Sequence, residues 1–84
     1  MYGHPLNHFP LTREMSSRWL ASRTIAIDDG APSLPVDKEE AIRHAVYMIC
    51  DKLARLATTP THEDSWRDIQ GYARTALMVL GVEK

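Results

Sequence analysis

Apolar residues recur at helical spacing in three stretches of this chain, and no segment shows convincing period-two alternation. The clearest stripe is Ile42, Val46, Ile49, Leu53 and Leu56, which predicts an amphipathic helix over about Lys38 to Ala57. Its other face carries His44, Met48, Asp51, Lys52 and Arg55. Asp37 reads as its N-cap, with Glu40 three residues later in a capping-box-like pair. Trp66, Ile69, Ala73, Ala76, Leu77 and Leu80 make the apolar face of a third helix, over about 61–80. Thr59 or Thr61 opens it and Gly81 closes it. The first helix is less regular. Met15, Trp19, Ser22 and Ala26 share a stripe, which predicts a helix from about Thr12, as N-cap, to Ala26. Met1 to Pro10 holds two prolines, a glycine and two histidines, and reads as irregular and extended. Asp28 to Pro35 is a loop, with Gly30 as the C-terminal stop of the first helix. The expected fold is all-α: three helices in a single domain over 1–84, the last two an antiparallel hairpin.

Length bounds what such a fold can hold. A chain of 84 residues buries a limited core, so a homo-oligomer with apolar helix faces packed together is the expectation. Ten basic residues stand against eleven acidic ones, which argues against a nucleic-acid binder working by bulk electrostatics. The lone cysteine, Cys50, allows no internal disulfide and reads as a small core residue. No apolar run approaches the roughly 20 residues needed to span a bilayer, and the first residues do not form a signal peptide. The expected location is cytoplasmic.

The chemistry concentrates in Asp64-Ser65-Trp66-Arg67-Asp68-Ile69-Gln70-Gly71-Tyr72-Ala73. Asp64 and Asp68 lie one turn apart on one helix face, with Gly71 further along it. A glycine inside a helix costs about 1 kcal/mol relative to alanine and calls for a packing or ligand reason. Two such acids suit a divalent cation or a ligand; they equally suit a solvated face beside a close helix crossing. Lys52 and Arg55 read from spacing alone as a solvated face, with a phosphate clamp as the alternative. Asp51 and Arg55 are one turn apart and placed to pair. Trp19 and Trp66 read as core or subunit-interface anchors. His62 falls in the first turn of the last helix and reads as exposed. His4, His8, His44 and His62 have no zinc-ligand spacing.

Tyr2-Gly3-His4-Pro5 followed by Phe9, then Lys52-Leu53-Ala54-Arg55-Leu56, then Pro60-Thr61-His62 and the Asp64–Ala73 run together resemble a family of small bacteriophage and prophage proteins. The resemblance covers nearly the whole chain. That family is more distantly similar to the all-α nucleoside triphosphate pyrophosphatases of the MazG and dimeric dUTPase type. The resemblance implies a nucleotide or nucleotide-derived phosphate ligand, with Tyr2, His4, Lys52, Arg55 and Tyr72 as ligand-binding residues. It places Asp64 and Asp68 in the second acidic motif of those enzymes, as ligands to Mg2+. The pyrophosphatases carry a further acidic cluster on the preceding helix. Here that helix offers Glu39 and Glu40 at its start and Asp51 in its middle, while the matching face shows Lys52 and Arg55. The family's usual acidic or polar stretch does not precede Tyr2 in this sequence. Two acids facing two cations favour binding over catalysis. Three expectations follow: a phage-type protein that sequesters a signalling nucleotide of host immunity; a magnesium-dependent pyrophosphohydrolase; or a structural, partner-binding helical protein.

Overall fold

A computed structural model describes residues 5–82. Three helices account for almost all of them: α1 (Pro5–Asp28), α2 (Val36–Thr58) and α3 (Glu63–Val79). No strand occurs among the described residues, so the all-α expectation holds.

The helix stops are local. After α1, Gly30 takes φ 99°; its N–H reaches Ile27 O (3.0 Å) and the Ala31 N–H reaches Ala26 O (2.9 Å). After α3, Gly81 takes φ 76°, with Gly81 N–H on Met78 O and Val82 N–H on Leu77 O, both 3.0 Å. Both are Schellman closures, in which a left-handed residue returns two N–H groups to orphan carbonyls. The glycine stops expected at Gly30 and Gly81 are therefore found.

The helix starts depart from expectation. Residues from Pro5 onward, read as irregular, are already helical, with Pro10 inside the helix. Proline at the first helical position loses no bond that a helix would make. Pro10 does forfeit one, and long-range contacts two positions either side of it hold the turn in place. Thr12 is accordingly no N-cap. It is fully buried in mid-helix and donates from Oγ1 to His8 O (3.2 Å). At α2 the cap position is Pro35, and the carboxylate that serves the start is Glu39, not Glu40. Glu39 accepts from the Leu34 N–H (3.0 Å) and from Arg23 of α1. At α3 the cap is His62, neither Thr59 nor Thr61, and it is half-buried. Its Nδ1 accepts from Ser65 N–H (3.2 Å) and lies 2.9 Å from Ser65 Oγ.

α2 is the middle element. It packs against α1 on one side and α3 on the other, and α1 and α3 do not meet among the described residues. Arg23, late in α1, joins Glu39, early in α2; His8 and Thr12, early in α1, meet Asp51, late in α2. α1 and α2 therefore run in opposite directions. The result is a layer of helices measuring 42 × 29 × 16 Å, not a closed bundle. Its fully buried hydrophobic residues are few: Ala45, Cys50, Ala54 and Leu56. The core role expected for Cys50 is met; the stripes that promised a core are only partly covered. Leu53 remains 40% exposed and Trp66 49%, with Leu77, Met78 and Leu80 also exposed. Within this chain Trp66 is thus no core anchor, and Trp19 is half-buried. No described helix is long and apolar enough to cross a membrane.

Candidate functional site

Asp51 is the hub of the polar face of α2. Its Oδ1 lies 3.2 Å from His8 Nε2 and 3.5 Å from the Thr12 hydroxyl. Its Oδ2 lies 3.3 Å from Arg55 Nε, the one-turn pairing the spacing predicts. His8 is 4% exposed, and its Nδ1 has no hydrogen-bond partner among the described residues. A partly buried carboxylate gains from such neighbours, because removing one partner of a pair withdrawn from water costs up to several kcal/mol (roughly 3–5 when fully buried).

Lys52 turns toward α3. Its ammonium lies 3.2 Å from Asp68 Oδ2; the lysine side chain is 14% exposed and the aspartate 50%. A lysine stem drawn along apolar surface with its charge met by a carboxylate is a fixed cation, unlike the freely rotating lysines of a solvated face. Tyr72, half-buried, follows Asp68 by one turn, and Asp64, exposed, precedes it by one turn. Of the expected site, the structure joins Lys52 to Asp68 across the seam of α2 and α3, with Arg55 three residues after Lys52 on α2 and Tyr72 one turn after Asp68 on α3. Tyr2 and His4 lie outside the described residues. Asp51, His8 and Thr12 complete the cluster. Of these, sequence spacing pointed only to the pairing of Asp51 with Arg55.

The magnesium site expected at Asp64 and Asp68 finds a weak fit in these donors. Asp68 already faces an ammonium, and no group of three or more His, Cys, Asp or Glu side chains placed to hold an ion occurs among the described residues. Gly71 is exposed, and a Cβ built there meets nothing within 4 Å. The close helix crossing offered as one reason for this glycine is therefore absent.

Two features lie apart from this cluster. A groove of about 280 Å³ opens between α1 and α2, lined by Ser16, Trp19, Leu20, Arg43, His44 and Tyr47 among others. Among the described residues, none of the expected site lines it. At the far end of the same seam, Arg23 ties Glu39 to the Pro32 carbonyl (2.9 Å), which pins the loop between α1 and α2. The Arg23 guanidinium, followed by the Leu34 N–H, holds the Glu39 carboxyl below the usual carboxylate range. Burial pushes the Cys50 thiol up, in keeping with its place in the core.

No curated protein and no solved structure matched the chain. A family model did, over residues 1–79, and the span includes every residue of the candidate site. The chain belongs to the family described as Domain of unknown function (DUF6378).

Proposed function

We propose that the face carrying Lys52, Arg55 and Tyr72 binds a nucleotide or nucleotide-derived phosphate ligand without hydrolysing it. The observation that carries this reading is Lys52, drawn to 14% exposure and fixed by Asp68, with Arg55 three residues on and held by Asp51. Oriented cations on one helix face suit a phosphate, the guanidinium through paired N–H groups and the ammonium as a point charge. Tyr72, one turn beyond Asp68 on α3, offers an aromatic face to a base. The carboxylates are matched by cations, so they orient the clamp more readily than they cage a metal. In the phage-type setting implied by the resemblance, the role is sequestration of a signalling nucleotide by a homo-oligomer in the bacterial cytoplasm.

Hydrolysis is the competing reading. It requires Asp68 to leave Lys52 and join Asp64 on Mg2+, with substrate phosphates and waters completing the shell. A thermal-shift screen of nucleoside triphosphates and cyclic nucleotides, with and without magnesium, separates the two, because a ligand of the folded state raises Tm by mass action. Binding without catalysis gives a metal-independent shift, lost in Lys52→Ala, with the nucleotide recovered intact by chromatography. A shift that needs magnesium, with triphosphate consumed, supports the pyrophosphohydrolase. No shift with any nucleotide rejects both and favours the partner-binding role.

A further inference from the structure

The unmet apolar stripes of α2 and α3 form one continuous surface, and we infer that a second copy of this chain covers it. Each residue of a helix turns about 100° from the one before. On α2, Asp51 faces α1 and Lys52 faces α3, and Arg55 projects between them. The opposite side of the helix carries half-buried Ile42 and Val46, the latter at the edge of the groove beside α1, and exposed Leu53, with no charged residue in that stripe from Ile42 to Ala57. On α3, Asp68 marks the polar direction, and Trp66, Leu77 and Leu80 lie on the far side of the same helix. With α3 folded back along α2 through the short connection at 59–62, both stripes turn to the same face of the layer. The polar cluster occupies the other face.

Area identifies the occupant. A globular monomer of 9.5 kDa exposes about 5,000 Å². This chain exposes 5971 Å², an excess of about 900 Å². A stable dimer of standard size buries about 800 Å² per partner. The excess, summed over the whole chain, is of the size that one self-complementary contact removes. The internal core is also thin: of its four fully buried hydrophobic residues only Leu56 has a large side chain. A cover needed for stability must always be present, and a copy of the same chain is. The apolar faces pack across a twofold axis, each subunit presenting the same patch, and the polar faces point outward. This goes beyond the ligand reading in assigning each face of the layer a separate role, and it stands without that reading: the two ligand sites are independent and lie outside the subunit contact.

Sedimentation equilibrium of the full chain from 1 to 100 µM tests this, together with fluorescence of a Trp19→Phe variant in which Trp66 is the single tryptophan. The expected mass is twice that of one chain, Tm rises with concentration, and Trp66 emission is blue-shifted and poorly quenched by acrylamide. Leu53→Glu is expected to raise the dimer dissociation constant by about 100-fold or more, as for a central anchor. Should that variant fail to fold, the wild-type mass and the Trp66 quenching still decide the matter. A monomer at 100 µM with a sharp unfolding transition overturns the inference. So does a dimer in which Trp66 stays fully quenchable, or a monomer that binds neutral phosphatidylcholine vesicles through Trp66.

Discussion

The two seams of α2 are built differently. The seam with α1 is polar at both ends: His8 and Thr12 meet Asp51 at one, and Arg23 meets Glu39 at the other. α1 is barely amphipathic, so it docks by specific pairings more than by an apolar stripe. α3 is strongly amphipathic, yet it meets α2 through the ion pair of Lys52 with Asp68 and turns much of its apolar stripe to the surface. The difference teaches that amphipathicity and docking are separate properties. The helix with the weakest stripe is tied to α2 by buried polar groups, whereas the clearest stripe on α3 is left for something outside the chain.

The sharpest way to break this contrast is Asp51→Ala. It strands a buried histidine and removes the carboxylate beside Arg55, at an expected cost of about 2–4 kcal/mol, read by urea denaturation. Loss of less than about 0.5 kcal/mol would show that the polar seam is ornamental. At the other end, Glu39→Gln is expected to lower Tm clearly at pH 7 and by less at pH 3. The sign follows from the lowered folded-state carboxyl. The stability it supplies is complete above the unfolded value near 4.3 and is lost as pH falls through the lower folded value. A Tm difference that persists unchanged at pH 3 would contradict this pairing.

Lys52→Met probes the other seam. Its partner Asp68 is half-exposed, so stability should fall by no more than about 1 kcal/mol, while any nucleotide-induced thermal shift disappears. A variant that keeps the shift would remove Lys52 from the site. The smallest effect has the opposite sign. Gly71→Ala meets open space and is expected to stabilise α3 by about 0.5–1 kcal/mol. If the same variant also weakens nucleotide binding, the glycine serves a ligand that approaches the backbone.

The contrast also explains what the sequence made legible. α2 and α3 were readable because their apolar repeats are regular, and the stops at Gly30 and Gly81 because left-handed closures favour glycine. Asp51 with Arg55 was readable because one-turn pairs are local. The start of α1 was misread because Pro5 and Pro10 look like breakers, and the contacts that override them come from Asp51, 39 residues beyond Thr12. The site was visible only in part for the same reason. Lys52 and Asp68 carry their own local cues, but nothing near His8 announces a buried partner in another helix. His62 as a cap was hidden because imidazole is not a common N-cap, and Glu39 because the residue beside it fits the capping-box spacing. Periodicity gave the stripes of α2 and α3 but is silent on what covers them.

The central claim is that the polar face of the layer holds the ligand. It is tested most directly by backbone amide NMR of the labelled protein, titrated in EDTA with adenosine triphosphate and then with a cyclic dinucleotide. The account predicts saturable shifts centred on Asp51, Lys52, Arg55, Asp68 and Tyr72, with the amides around Leu53, Trp66 and Leu77 moving least. Shifts centred on the apolar face, or none with either nucleotide, would contradict it.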